Sequence, residues 1–179
     1  MPSDEELMLA VGRGDAAALE KIVARYQGVA WRTALRFLGD AAEAEDVTQE
    51  VFLRIFSAAP RYRPAAPFRT YVYRIVTHLC LDAVRKKHPA YTKDPPVSAD
   101  PSPSPLEAMT DQERDEAVRM AMQGLPDRQR AAVVRRYFEG LSCREVAHVM
   151  GSTVKAVERL LARARAALEA PLGRLLSGE

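Results

Sequence analysis

The chain has 179 residues, 47% of them apolar and 28% charged, with 9 Gly, 12 Pro and 2 Cys. This composition excludes a collagenous or low-complexity chain, and a chain of this length forms one domain or two small ones, burying roughly two thirds of its unfolded surface without a metal or disulfide staple. Its 26 Lys+Arg against 24 Asp+Glu leave a net charge of only +2, so any attraction to a polyanion must come from how the charge is distributed.

The pattern is helical on both sides of one interruption. Asp4–Arg13 reads as a short first helix, broken at Gly14. Asp15 then suits an N-cap, and apolar residues recur at Leu19, Ile22, Val23, Tyr26, Ala30, Ala34 and Phe37 until Gly39 stops the run. Asp40 caps the next helix, whose inner stripe is Val47, Val51 or Phe52, and Ile55. A loop at Ala58–Pro67 carries three prolines; beyond it Phe68, Val72, Ile75, Leu79 and Ala83 mark one side of a long helix. Its Tyr71–Thr77 stretch is rich in aromatic and β-branched residues, but the stripe outlasts any strand. Six prolines between Pro89 and Pro105 exclude helix and central strand and predict a semi-rigid linker. After it, Leu106–Gln123 reads as a helix with an acidic outer face, and Gly124-Leu-Pro126 breaks it. Asp127 caps a helix to about Glu139 that ends at Gly140. Ser142-Cys-Arg-Glu145 is a capping box opening a short helix that ends near Met150-Gly151. Ser152 or Thr153 caps the last helix, with Val154, Val157, Leu161, Ala164 and Leu168 facing inward. The tight turn at Gly151 between these two helices makes a helix-turn-helix candidate. The expected fold is all-α: two small helical domains over residues 1–92 and 111–179, joined by a Pro-rich linker over 93–110.

Charge is segregated along this frame. Residues 1–53 carry a net −5, 54–92 a net +7, 93–124 a net −4 and 125–179 a net +4. Two basic regions, each preceded by an acidic one, allow contact with a polyanion at two places; two solvated basic faces are the plainer alternative. On the last helix the side opposite the apolar stripe presents Lys155, Arg159, Ala162 and Arg163. A recognition helix places its N-terminal residues nearest base edges, so Lys155, Ala156 and Arg159 are candidates for reading bases, and Arg163 and Arg165 for meeting phosphate. Glu158 is tolerable there only if it accepts from a cytosine amino group or pairs with an arginine. In the first half Arg74, His78 and Arg85 share one side of the basic helix, near Tyr71, Tyr73 and the Arg61-Tyr62-Arg63 loop. Cations interleaved with aromatics suit single-stranded nucleic acid, although aromatics on a helix more often belong to the core.

No convergent Ser/His/Asp, paired-carboxylate or metal-ligand pattern occurs, and His78, His88 and His148 are scattered, so no catalytic site, metal or cofactor is expected. Cys80 and Cys143 lack any zinc-type spacing and read as two reduced thiols in a reducing cytoplasm. The N-terminus carries Asp4, Glu5 and Glu6 in place of a basic segment and apolar run, which argues against a secretory peptide.

Ala44-Glu-Asp-Val-Thr-Gln-Glu-Val-Phe-Leu53, then Pro67-Phe-Arg-Thr-Tyr-Val-Tyr-Arg-Ile75 running on to Leu81-Asp82 and Arg85, then Leu125-Pro126, Glu139-Gly-Leu-Ser142 and Ala162-Arg-Ala-Arg165 resemble the signatures of extracytoplasmic-function (ECF) sigma factors. These are the small members of the sigma-70 family of bacterial transcription initiation factors. The resemblance runs over almost the whole chain in the family's order. It implies a first domain (region 2) that docks on the clamp coiled coil of the RNA polymerase β′ subunit and opens and captures the minus-10 promoter element. It implies a second domain (region 4) that reads the minus-35 element as duplex and packs on the β flap, with the linker threading towards the RNA exit path. By matching position, Asp46, Gln49, Glu50 and Phe52 fall on the core-polymerase-binding helix. Arg61, Arg63 and Arg69 fall in or beside the loop that captures a flipped base, and Phe68, Arg69, Tyr71, Arg74 and His78 at the start of the promoter-melting helix. Arg130 matches a position that supports minus-35 contact, together with Ser152, Thr153, Lys155, Ala156, Arg159, Arg163 and Arg165.

Three departures stand out. Tyr71 replaces the family's usual Trp, and His78 an Asn that is often found there. Lys155-Ala-Val-Glu-Arg-Leu160 replaces a Gly-Thr-Val-basic-Ser-Arg run, so the promoter sequence read by another member does not transfer. The resemblance further implies an anti-sigma partner, commonly membrane-bound, and no chemistry by the chain itself. The alternative is a stand-alone helix-turn-helix regulator that binds duplex operator DNA without polymerase.

Overall fold

The computed structural model describes residues 1–87 and 111–176. The Pro-rich linker, His88 and the expected helix start at Leu106 lie outside the described residues. Within them the chain is helical and without strands: α1 (Asp4–Gly12), α2 (Ala16–Leu38), α3 (Ala41–Ala58), a 3-10 turn (Ala59–Arg61), α4 (Phe68–Lys87), α5 (Asp111–Gln123), α6 (Asp127–Val133), a π turn (Val134–Phe138), α7 (Cys143–Val149) and α8 (Val154–Leu176). No helix among the described residues is long and apolar enough to cross a membrane.

Local chemistry sets most of these boundaries. Ser3 and Glu6 form a capping box at α1, the Asp15 carboxylate accepts from Ala18 N–H at α2, and that of Asp40 from Glu43 N–H at α3. Gly39 ends α2 at φ +73°, the left-handed conformation that glycine adopts without strain. Met8, Ile22, Ala30, Ala34, Val51, Ile55, Val72 and Val76 form the fully buried centre of the first half. Val51, and not the half-buried Phe52, takes the inner position on α3.

In the second half, α7 opens on the expected Ser142/Glu145 capping box. Asp127 does not cap α6: Pro126 holds the N-cap position without a side-chain hydrogen bond, and the Asp127 carboxylate pairs with Arg130 at 2.8 Å. Nor does that helix continue as α to Glu139, because it widens into the π turn. Val157, Leu161 and Ala164 face inward from α8 as expected, whereas Val154, at its first position, stays 39% exposed.

The two halves are packed together, α5 beside α2, and α6 and α7 against α4. Helix α4 is therefore covered from two directions. Val72 and Val76 belong to the first core, while Thr77 and Cys80 line a small cleft shared with Thr33 and Phe37 of α2 and with Ala131, Val134 and Arg135 from the second half.

Candidate nucleic-acid interface

The last helix carries the most open set of cations. The Thr153 hydroxyl accepts from Ala156 N–H at 3.2 Å and so caps α8, and Gly151, at φ +59°, makes the turn from α7. Lys155, Arg159, Ala162 and Arg163 lie exposed opposite buried Val157, Leu161 and Ala164, as the 3.6-residue period requires. Among the described residues no carboxylate engages Lys155, Arg159 or Arg163. Ser152 and Ala156 are half-buried beside them, and Glu158 is exposed. Arg165 points elsewhere and donates to the Tyr137 hydroxyl at 3.2 Å. The stripe from Lys155 to Arg163 is thus an open cationic ridge a little over two turns long.

The first half offers a second basic surface. Arg61, Arg63 and Arg74 are exposed, and Tyr71 and His78 are half-buried. Burial and the neighbouring Arg74 hold the His78 imidazole below its ordinary pKa, so it is neutral near pH 7. Phe68 sits inside this surface at 1% exposure and cannot stack on a base in this arrangement. Its ring meets Tyr26, Tyr62 and Tyr71 with centroids 5.4 to 5.9 Å apart, and its N–H donates to Glu5 at 2.9 Å. Phe68 therefore fixes the position of the loop and of Tyr71. Burial pushes the phenols of Tyr62 and Tyr71 up from their ordinary pKa, so both remain neutral.

Helix α3 presents the acidic face that the sequence predicts. Asp46 and Gln49 are exposed, and Glu50 holds Arg54 at 2.9 Å. Phe52 is half-buried, and the apolar groups that stand free on this face are Leu53 at 61% and Phe56 at 55% exposure. They follow Glu50 at i+3 and i+6. That spacing was available in the sequence, where neither was singled out as a residue of this face.

Arg130 and Arg69 are engaged within the chain itself. Arg130, 6% exposed, donates to the Phe37 carbonyl at 2.8 Å and to Gln123 at 2.6 Å, and stacks over the Phe37 ring. It serves the seam between the halves. The exposed Arg69 donates to the Glu139 carbonyl at 2.8 Å. The Glu139 carboxylate in turn accepts from Tyr73 at 2.7 Å and from Thr33 at 2.6 Å, with Arg36 at 3.6 Å. Arg135 is buried in the same seam, donates to Thr77 at 2.8 Å and lies over the Tyr73 ring. Burial pushes its pKa down to about 10. Glu139 stands inside a motif singled out in the sequence, but its contact with the other half joins residues too distant in the chain for any local pattern to reveal.

Residues 22–89 match the family described as Sigma-70 region 2, and residues 115–168 match Sigma-70, region 4. The chain is 33% identical to RNA polymerase sigma-H factor of Pseudomonas aeruginosa over 97% of this chain and 95% of that one. It is 32% identical to ECF RNA polymerase sigma factor SigE of Mycolicibacterium smegmatis, over 92% of this chain and 67% of that one. Among solved structures it resembles CnrH in complex with the cytosolic domain of CnrY, with a TM-score of 0.72, 28% identity and coverage of 97% and 99% of the two chains.

Proposed function

The chain belongs to the ECF group of the sigma-70 family of bacterial RNA polymerase sigma factors, and we propose that it reads promoters with two separate basic surfaces held apart by core polymerase. It binds core RNA polymerase and directs promoter-specific initiation. Residues 1–92 dock on the β′ clamp coiled coil through Asp46, Gln49, Glu50 and Phe52 of α3, with Leu53 and Phe56 adding apolar area. The same domain takes the minus-10 strand on Arg61, Arg63, Arg69, Tyr71, Arg74 and His78. Residues 111–179 meet the β flap and lay α8 along the minus-35 duplex, Lys155, Ala156 and Arg159 towards base edges, Arg163 towards phosphate and Ser152 and Thr153 at the helix entrance. Residues 93–110 connect the two. The chain performs no catalysis and uses no cofactor or metal, and it works in the cytoplasm under an anti-sigma partner.

Melting costs a few kcal/mol per base flipped or unstacked, offset by stacking and cationic backbone contacts together with polymerase binding. Two small footprints on a linker gain avidity only when their separation is fixed, so the free chain binds promoter DNA poorly. The observation that carries this reading is the order of region 2 and region 4 in one chain that also shares almost its full length with sigma-H factor. It is tested by run-off transcription with bacterial core polymerase, with and without the protein, on a pool of promoter fragments. Initiation dependent on the protein, at fragments sharing two spaced elements, is the expected result. Tight duplex binding by the protein alone, without stimulated initiation, would establish a stand-alone regulator instead.

A further inference from the structure

We propose that α1 is a clasp for the minus-10 loop: Glu5 near its head and Gly12 at its tail fix the two ends of the segment between Ala59 and Phe68, and so set where Arg61, Arg63 and Tyr71 stand when an unpaired strand arrives. What the loop binds rests on the functional reading above; the clasp itself rests on contacts within the chain. The Glu5 carboxylate accepts from the Phe68 N–H, the first of α4, at 2.9 Å and across 63 residues of sequence. Gly12 lies against the 3-10 turn at the other end, where a Cβ in its place would stand 2.6 Å from the Ala59 carbonyl oxygen and 3.5 Å from the Pro60 Cα. Seven residues separate Glu5 from Gly12, so the two share one face of α1 about 10 Å apart.

The clasp is itself firmly held. Ser3 and Glu6 cap α1, and Leu7, Met8 and Val11 are buried in the first core. The Asp4 carboxylate pairs with Arg25 and accepts from the Tyr26 hydroxyl, both on α2. Tyr26 in turn meets the Phe68 ring at 5.4 Å, so α1 reaches Phe68 by its N–H and, through Tyr26, by its ring. By contrast, residues 62–67 have one backbone hydrogen bond of their own among the described residues, from Ala65 N–H to the Arg63 carbonyl at 2.8 Å. Tyr62 packs on Phe68 and Tyr71 with its hydroxyl buried and without a hydrogen-bond partner, a cost that other contacts must offset. A loop with so few bonds takes its shape from its ends. As a bare charge beside a strand-binding surface, the Glu5 carboxylate would weaken binding. As the acceptor for the first N–H of α4 it is a positioning residue that strengthens binding by fixing the loop, and these two roles predict opposite effects of its removal.

Hydrogen exchange of the full-length protein, followed peptide by peptide in the mass spectrometer, tests the clasp without DNA. Glu5→Ala and Gly12→Ala should each speed exchange in residues 59–71 at least about tenfold, the scale of one charge-assisted hydrogen bond lost, with α2 and α3 unchanged. Glu5→Gln keeps an acceptor oxygen and should fall between. In holoenzyme, a fluorescent non-template strand carrying the minus-10 element of a promoter found by run-off transcription should bind both alanine variants at least about fivefold more weakly than wild type, while their affinity for core polymerase stays unchanged. The proposal is overturned if either folded alanine variant leaves loop exchange unchanged, or if both loosen α2 and α3 as much as the loop. It is equally overturned if Glu5→Ala binds the strand as tightly as wild type or more tightly. If loop exchange responds as expected but no promoter strand binds the wild-type holoenzyme, the functional reading fails and the clasp stands.

Discussion

Arg159 and Arg163 lie one turn apart on the exposed side of α8 and differ only in distance from the helix entrance, and in the docking proposed above that difference divides their work. Arg159 is within reach of base edges when the N-terminal end of α8 enters the groove, and Arg163 sits where the backbone passes. With holoenzyme and a library of minus-35 variants, Arg159→Ala should cost about 1–3 kcal/mol at the preferred sequence and relax the preference. Arg163→Ala should weaken all sequences alike and lower the salt slope by about one. Equal losses at every sequence for both substitutions would contradict this division. The α8 stripe was legible because helical period alone decides which side is exposed. Phe68 and Arg130 were not, because a side chain's burial depends on partners that the local sequence does not name: Tyr26 and Tyr62 for the first, Phe37 for the second.

At the scale of elements, caps were readable and packing faces less so. Asp15, Asp40 and Ser142 act through bonds to backbone three residues on, which sequence spacing fixes. On α4 the expected stripe placed Ile75 inside, but Ile75 is half-buried while Val76 is fully buried. The second half covers the side of α4 carrying Thr77 and Cys80, so no single stripe describes the helix. Helix α3, free of such cover, keeps one polar face with an apolar end, and this yields a test. Because Leu53 and Phe56 are largely exposed, replacing either with Ser should change stability by no more than about 0.5 kcal/mol. If α3 docks on polymerase, Phe56→Ser should nonetheless weaken core binding by about 2 kcal/mol, in the range of an interface hot spot. Binding titration by fluorescence anisotropy, beside thermal melts of the same variants, separates the two effects. An unchanged affinity would remove this face from the docking surface.

For the whole molecule, two helical domains around a Pro-rich break could be read from prolines, caps and charge segregation. The seam between them could not, since Thr33, Tyr73, Thr77, Arg135 and Glu139 come together only in the folded chain. The seam also gives the molecule an alkaline limit. Burial pushes the Cys80 thiol up to about 12, whereas in the unfolded chain it titrates near 8.5. Its contribution is therefore complete below about pH 8.5 and declines as pH rises towards about 12. Arg135, pushed down to about 10, acts in the opposite sense only above that value. Between pH 8.5 and 10 the thermal midpoint should fall, with a loss approaching about 1.4 kcal/mol per pH unit at most from this thiol, and Cys80→Ala should flatten that slope. An equally steep fall in the variant would place the titrating group elsewhere. The π turn at Val134–Phe138 bears on how this molecule can change over time. It admits an extra residue into a helical turn, and Glu139 follows directly after it. Deleting one residue there would rotate Glu139 by about 100° about the helix axis, away from Thr33 and Tyr73. The stretch between Pro126 and Gly140 should therefore tolerate replacement of its exposed side chains far better than any change in its length, and homologues with an insertion or deletion there should lack the Glu139 contact altogether.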